Sequence, residues 1–230
     1  HKTRDSIRRI WNITNKVWAD PKTISTRTHY WGLSSSGLAC IDINDGLLTE
    51  CTKGKGKVAL VHDPWRPCPS VGGHLGQDPG IANRLNVDKR SDVATFTTKP
   101  IHKTIQIEGT PIFEIVASSE QESFDIFVSL SIIQKNSTEV SQLSTGIQRV
   151  NNKATTKRLA HKITLQPIFA DFKIGSRLRL SISGAAWPAI GVNPGQLTNP
   201  PGPSSPSCLV TTILIRLDES KLSICPLITK

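Results

Sequence analysis

The chain has 230 residues, a formal net charge of +10, five cysteines and no methionine. A chain of this length can bury roughly 70% of the surface that it exposes when unfolded, so one packed domain needs no disulfide or metal cross-links. No run of about 18 apolar residues occurs, which excludes a transmembrane helix on sequence grounds.

The first 26 residues allow two interpretations. Apolar residues recur there at helical spacing, but the β-branched and asparagine residues among them are poor helix formers. We expect an extended or irregular lead-in over residues 1–26, followed by one domain over residues 27–230. Because the chain starts at His1 and contains no Met, we expect it to be a piece of a longer polypeptide or a processed chain.

Residues 63–73 have the sequence Asp-Pro-Trp-Arg-Pro-Cys-Pro-Ser-Val-Gly-Gly. Proline fixes φ and removes an amide donor, while the paired glycines permit backbone conformations that are closed to other residues. This stretch therefore predicts a rigid loop that carries a Trp-Arg pair.

Alternation of apolar and polar residues dominates from about residue 92 onward. Each alternating segment predicts a strand with one buried face and one solvated face. Turn residues separate these segments, and no βαβ rhythm is present, so antiparallel pairing in an all-β sandwich is favoured. The apolar residues that define the segments are Ile105 and Ile107; Phe124, Ile126, Val128, Leu130 and Ile132; Ile163 and Leu165; and Leu178, Leu180 and Ile182.

The C-terminal part begins with a proline-rich stretch at residues 193–206, which predicts a loop that wraps an edge of the sheet. Residues 208–217 predict a strand that is apolar on both faces. Residues 222–228 predict a further strand that closes the sheet.

The basic residues are spread along the chain. Arg177 and Arg179 alternate with Leu178 and Leu180, as on the solvated face of a strand. The chain has a single tyrosine and no basic stripe with interleaved aromatic residues. A solvated or partner-facing surface is therefore favoured over nucleic-acid or membrane binding.

The five cysteines lack C-x-x-C spacing, and their odd number argues against a complete disulfide framework. We expect free, mostly buried thiols in a reducing compartment, hence a cytoplasmic chain. A periplasmic or secreted location stays open, since any signal peptide would lie upstream. The histidines show no metal-ligand spacing, and we expect neither a metal nor a cofactor.

Several segments, in a fixed order, resemble the C-terminal jelly-roll domain of the X-prolyl dipeptidyl-peptidase, cocaine esterase and α-amino-acid ester hydrolase family of serine hydrolases. The best match is the loop at residues 63–73. Two departures are Ser176, where the family commonly has His, and the Gly-Ala-Ala-Trp-Pro sequence at residues 184–188, where it has Ser-Asn-Phe-Pro. The resemblance implies a galactose-binding-like, antiparallel jelly-roll β-sandwich. The other matching segments are residues 7–18, 26–31, 36–38, 90–98, 107–109, 116–119, 124–125 and 172–183.

The resemblance also implies a role. The family keeps its catalytic Ser, Asp and His in an α/β-hydrolase domain, which we expect upstream in the same polypeptide, with homo-oligomerisation left open. We expect Trp65, His74 and Leu75 to border the substrate pocket, and Trp11 and Trp18 to lie at the domain contact. The alternatives are core packing for the tryptophans and loop packing for His74 and Leu75.

No catalytic residue is expected within the chain itself. The nearest approach to a G-x-S-x-G nucleophile elbow is Gly-Leu-Ser-Ser-Ser-Gly at residues 32–37, but its fifth position is Ser36. We interpret it as a polar turn, and His62, Asp63 and Asp42 as surface polar groups near a turn rather than parts of a triad. The chain alone should be inactive.

Two other functions remain as alternatives. A carbohydrate-binding jelly roll would need exposed aromatic platforms, for which Trp187 is the candidate. A binder of nucleic acid or an anionic surface would show association that weakens steeply with salt.

Overall fold

The computed structural model describes residues 10–19, 28–74, 78–151 and 159–225. These residues form strands and one short helix, so the predicted all-β class is confirmed. No helix in the described ranges is long and apolar enough to cross a membrane. In chain order the elements are β1 Ile10–Asn12, β2 Val17–Ala19, β3 His29–Ser34, β4 Leu47–Thr49, β5 Lys57–His62, α1 Leu85–Asp88, β6 Val93–Thr98, β7 Ile105–Ser119, β8 Ser123–Ile133, β9 Ser141–Asn151, β10 Leu159–Thr164, β11 Ile168–Phe172, β12 Arg177–Ser183 and β13 Thr211–Cys225.

The main sheet folds into a β-sandwich. Its strand order is β10-β7-β13-β3-β4-β6-β12-β8-β9, while β11 also pairs with β7 and β5 with β13. Among the described strands, β4 and β6 pair in parallel and the other pairings are antiparallel. The first and last strands of this order, β10 and β9, approach each other. The Gln166 amide, just after β10, donates to the Thr145 carbonyl on β9 at 3.1 Å. The predicted antiparallel sandwich is confirmed, and it is nearly closed.

The core follows the period-two pattern of the sequence. The alternating apolar residues of β8 and β12 that the sequence placed on one face point between the layers, and each is at most 2% exposed. They pack in one cluster with inward residues of β7 and β13, such as Phe113 and Ile215. Alternation thus identified the buried face correctly. The buried residues of the two strands are Phe124, Ile126, Val128, Leu130, Ile132, Leu178, Leu180 and Ile182.

The opposite face of these strands is not solvated, so the predicted wet face is wrong. Asp125, Ser129 and Ser131 on β8 are at most 1% exposed, and Arg179 on β12 is 5% exposed. The reason is a third layer: the segment between β5 and β6, which includes α1, crosses this face. A smaller apolar cluster beneath that layer joins Cys68, Val87, Val93 and Ala185.

A polar network fixes the third layer to the sheet. The Arg84 Nε donates to Asp88 Oδ1 at 2.8 Å, and another of its nitrogens donates to Gln142 Oε1 on β9 at 2.7 Å. Ser129 donates to the same Gln142 oxygen at 3.0 Å. Arg179 lies 3.5 Å from the other oxygen of Asp88. Burial lowers the pKa of the Arg179 guanidinium, and the Asp88 carboxylate opposes that shift.

The proline-rich loop is anchored in the same manner. Asn193 donates to Asp125 Oδ1 at 2.9 Å and to the Ser123 hydroxyl at 2.8 Å, both on β8. Asp125 also accepts two hydrogen bonds from Arg149 on β9, at 2.8 and 2.7 Å. Arg149 in turn donates to the Gly191 carbonyl at 3.0 Å. The loop therefore covers the start of β8 and reaches edge strand β9.

The final strand differs from its prediction. Instead of two strands, β13 is continuous, with a register shift between Arg216 and Lys221, and residues 226–228 lie outside the described part. Apolar residues occur on both faces of its first half, as predicted, but only one of these faces is buried: Ile213 is 2% exposed, whereas Leu214 is 36% exposed. Strand β13 pairs with β7 on one side and with β5 and then β3 on the other.

The beginning of the described chain is a hairpin of β1 and β2. It is attached to β11 by hydrogen bonds from the Ile13 amide to the Phe169 carbonyl and from the Asp171 amide to the Thr14 hydroxyl, both 2.8 Å. Residues 10–19 are thus extended, as one of the two interpretations proposed. The suggested boundary at residue 26 lies outside the described residues.

Candidate docking surface

Trp65 is presented by a fixed turn. The Asp63 side chain accepts a hydrogen bond from the Trp65 amide at 2.9 Å, and the Asp63 carbonyl accepts one from the Arg66 amide at 3.1 Å. Ser204, from the proline-rich loop, donates to the Pro64 carbonyl. The backbone is therefore held at three points while the indole is 58% exposed. A large apolar side chain on a rigid loop suits a contact surface better than a core.

The middle of this loop is paired with the segment after β12. The Trp187 amide donates to the Cys68 carbonyl at 2.9 Å, and the Ser70 amide donates to the Trp187 carbonyl at 2.7 Å. Trp187 is half-buried at this junction. It is therefore a poor candidate for an open sugar-stacking platform, the role that the carbohydrate alternative gives it.

The paired glycines close the loop, as their sequence predicted. Gly72 and Gly73 have φ values of 54° and 77°, in the left-handed region. Gly73 and Gly80 exchange two backbone hydrogen bonds of 2.8 Å. A Cβ on Gly72 would lie 2.5 Å from the Gly80 carbonyl oxygen, so a larger residue cannot enter without moving the backbone.

His74 emerges next to these glycines, at the edge where β9 meets the segment after β10. Its Nδ1 lies 3.4 Å from the Thr145 hydroxyl, and its Nε2 lies 3.2 Å from the Gln166 side-chain nitrogen. Both ring nitrogens therefore have a polar partner on the neighbouring segments. The ring is thus exposed but oriented. Leu75, the other residue predicted at this point, lies outside the described residues.

The two tryptophans predicted at a domain contact face each other. Trp11 and Trp18 are directly opposite in the β1–β2 hairpin, with ring centroids 5.7 Å apart in an edge-to-face arrangement. They are 42% and 64% exposed, whereas neighbouring Asn12 is 1% exposed. The Asn12 face of the hairpin therefore lies toward the sandwich, and the tryptophan face points away from it.

Sequence reasoning missed one exposed apolar group, which we call the β5–β13 strip: Val61, Val210 and Leu214. Val61 pairs with Thr212, so Val210 and Leu214 are its diagonal neighbours on the same face. These three residues are 45%, 53% and 36% exposed. The signal in the sequence was the run at residues 209–215, which is apolar on both faces and therefore leaves apolar side chains on whichever face is exposed.

The predicted residues occupy three places rather than the two expected, a pocket border and a domain contact. Trp65 lies just beyond the end of β5, beside the β5–β13 strip, while His74 is at the far end of the same loop against β9. The Trp11–Trp18 pair lies beyond β11, which pairs with the start of β7. The β5–β13 strip flanks the other end of β7 through β13. The exposed groups therefore border several sides of the sandwich.

The serine-rich turn at residues 32–37 is a structural turn. Both Ser35 and Ser36 donate their hydroxyls to Asp45, and the Leu38 amide donates to the same carboxylate at 3.1 Å. Burial raises the pKa of Asp45, but these hydrogen bonds together outweigh it and hold that pKa below its ordinary value. These hydrogen bonds hold the turn together, and Ser34, which occupies the nucleophile position of the near-motif, is the last residue of β3 and is followed by this turn rather than by a helix.

His62 and the buried thiols also lack the features of reactive groups. His62 ends β5 and is only 3% exposed, so its predicted surface position is wrong, and burial lowers its pKa despite the charges of Asp125 and Asp92. Burial raises the pKa of Cys40 to about 12 and that of Cys68 to about 11. Cys51 and Cys208 are free as well. Within the described ranges, no cluster of three or more His, Cys, Asp or Glu side chains could hold a metal ion.

Comparison with protein families gives one match. Residues 1–220 match the family described as the X-Pro dipeptidyl-peptidase C-terminal non-catalytic domain. No curated protein matches the sequence.

The solved structures that share the fold include the following three. An α-amino acid ester hydrolase has a TM-score of 0.76 at 18% identity, covering 95% of this chain and 40% of that one. An aminopeptidase from a marine sediment archaeon, Thaumarchaeota archaeon, has a TM-score of 0.74 at 17% identity, covering 94% and 40%. A CocE/NonD family hydrolase from Staphylococcus aureus has a TM-score of 0.57 at 12% identity, covering 95% and 41%. The chain thus spans about 40% of the length of these structures.

Proposed function

Because this chain belongs to the family of X-Pro dipeptidyl-peptidase C-terminal non-catalytic domains, we propose that it packs against an α/β-hydrolase domain of the same polypeptide and shapes the mouth of its substrate pocket. The substrate class would be X-prolyl peptides, acyl esters or amides. The family match over residues 1–220 is the observation that carries this proposal. The free thiols support a reducing, cytoplasmic location.

The Trp11–Trp18 pair supports the docking role. Trp11 and Trp18 are 42% and 64% exposed, and their exposed surface is roughly 250 Å² together. Burying that area would contribute about 6 kcal/mol at about 25 cal/mol per Å², before the costs of association. An outward-facing tryptophan pair on an anchored hairpin gives a partner domain a preformed apolar contact.

The Trp65–His74 loop supports the pocket-shaping role. Its backbone is held by the turn at Asp63, by Trp187 and by the Gly73–Gly80 pair, so its exposed side chains keep their positions. Rigid placement lets a loop select between substrates, because little ordering entropy is lost when a ligand meets it.

The docking proposal is tested by replacing both Trp11 and Trp18 with Ser in two contexts. In the complete polypeptide the double variant should lower the thermal midpoint clearly, because a buried contact is lost. In the 230-residue chain the effect should be clearly smaller, because only the contact between the two half-exposed rings is lost there. Ile41→Ser, at a position 79% exposed, is the matched control. Equal effects in both contexts would contradict the proposal.

Two further measurements address chemistry. The 230-residue chain should not turn over p-nitrophenyl acetate or Gly-Pro-anilide, and turnover that a serine-directed inhibitor abolishes would refute this. In the complete polypeptide, Trp65→Ala and His74→Ala should change relative KM values between substrates of different acyl size, while Tyr30→Ala should not. A coding region upstream of His1 with a G-x-S-x-G motif followed by Asp and His would establish the parent domain.

A further inference from the structure

A cavity of about 530 Å³ opens at one end of the sandwich, away from the loop that carries Trp65 and His74. This volume falls within the roughly 300–1,000 Å³ typical of small-molecule sites. Its walls belong to β3, β4, β7, β11 and β12, together with the connection between β6 and β7. The apolar side chains that line it are Trp31, Leu47, Leu48, Ile101, Ile105, Ile107, Phe172 and Leu178.

The inner wall of the cavity is part of the main core. Trp31, Ile107 and Phe172 are at most 4% exposed, and they belong to the core cluster. Ile101 and Ile105 pack on that cluster but are only partly buried, so apolar surface faces the cavity. The inner wall is rigid because core residues form it, and the surface that it offers to a ligand's tail is mainly apolar.

The mouth of the cavity is basic. Lys99, His102 and Lys103 line it, and Glu50 is the single acidic residue among the lining residues. Within the described part of the chain, neither lysine forms an ion pair. Two exposed ammonium groups therefore stand beside the opening with no carboxylate partner.

The connection that carries these lysines is anchored at its middle. The Ile101 amide donates to the Ser176 carbonyl at 2.8 Å, and the Gly175 amide donates to the Ile101 carbonyl at 2.7 Å. The basic residues are thus held at the opening, on either side of Ile101. Cationic groups at a mouth and an apolar interior are complementary to a molecule with an anionic head and a hydrocarbon tail.

We propose that this cavity binds medium-chain alkyl carboxylates, with the tail against Ile105, Ile107 and Phe172 and the carboxylate between Lys99 and Lys103. The site is separate from the proposed docking surface, and it involves no bond formation. The chain would sense or store a fatty acid while the reaction takes place elsewhere.

Isothermal titration calorimetry of the full chain with octanoate, decanoate and dodecanoate tests the interior. Burial of the tail should lower Kd about fourfold for each added methylene. Ile105→Trp, which fills the cavity from a partly buried position, should abolish binding. Val61→Ser, in the β5–β13 strip, should leave Kd unchanged. If Ile105→Trp fails to fold, Ile101→Trp on the exposed connection serves instead.

Decanoate and its uncharged amide, decanamide, test the mouth. Reversing both charges with Lys99→Glu and Lys103→Glu should raise the Kd of decanoate about tenfold and leave that of decanamide within about twofold. Lys57→Glu on β5 is the control for net charge. The proposal is overturned if no heat of binding is detected, if Kd does not depend on chain length, or if Lys57→Glu or Val61→Ser weakens binding as much as the cavity variants do.

Discussion

The buried carboxylate of Asp88 should be one of the most sensitive positions in the chain. Its side chain is 0% exposed and faces two guanidiniums, at 2.8 Å from Arg84 and 3.5 Å from Arg179, whose side chains are 2% and 6% exposed. Asp88→Ala leaves two positive charges buried with no counter-ion. Removing one partner of a buried pair costs about 3–5 kcal/mol, a large share of the roughly 5–15 kcal/mol that stabilises a domain.

Urea unfolding followed by tryptophan fluorescence measures this loss. With a slope of about 2–3 kcal/mol per molar, a loss of about 3–5 kcal/mol should lower the midpoint by about 1 to 2.5 M. The matched control is Asp218→Ala, which removes a carboxylate that is 46% exposed and 3.5 Å from Arg216. Exposed pairs contribute about 0–1 kcal/mol, so the control midpoint should barely move. An Asp88→Ala midpoint no lower than that of the control would refute the reasoning.

Three other predictions concern packing, thiols and pH. Gly54→Ala should lower the thermal midpoint by about 6–12 °C, because a Cβ there would meet the carbonyl oxygens of Leu33 at 1.9 Å and Leu217 at 2.2 Å. Gly202→Ala, with nothing within 4 Å of the added carbon, should change it little, and equal shifts would contradict the packing argument. Ellman's reagent at pH 8 should label exposed Cys51 in the native chain, whereas Cys40 and Cys68 should react only after denaturation; native labelling of Cys40 would show that its burial is wrong. Burial lowers the pKa of His62 and of His161, so the unfolded chain binds protons more readily than the folded chain. Stability should therefore be complete above about pH 6.5 and decline as the pH falls from there toward the folded pKa values. His62→Gln should flatten that decline in the urea midpoint between pH 7 and pH 5.5, and an unchanged profile would exclude His62 as a contributor.

The sequence correctly identifies the residues that face the main core, but it fails to show that the opposite face of the same strands is also buried. The inward residues of β8 repeat with period two, and that local pattern is enough to identify a buried face. The outer residues Ser129 and Arg179 look like solvated residues in the sequence. Their burial depends on Gln142 and Asp88, partners that only tertiary structure brings near. No local pattern contains that information.

The hairpin illustrates why local spacing can mislead. Trp11 and Trp18 are seven residues apart, a spacing that also suits one face of a helix. The Asn12 side chain instead accepts the amides of Thr14 and Asn15 at 3.2 and 3.0 Å, and Lys16 adopts a φ of 55°. This turn reverses the chain and places the two indoles opposite each other. The asparagines noted as poor helix formers were the informative signal.

The position of β13 has a consequence for biosynthesis. It is the last strand of the described chain, yet it lies between β7 on one side and β3 and β5 on the other. On a ribosome that adds about 5–20 residues per second, the interval from Ser119 to Thr211 lasts roughly 5 to 20 s. During that time the edges of β7 and β5 that later pair with β13 are unpaired. Unpaired strand edges can pair with other chains and so promote aggregation. A nascent chain stalled before Thr211 should therefore depend on chaperones far more than the completed chain does.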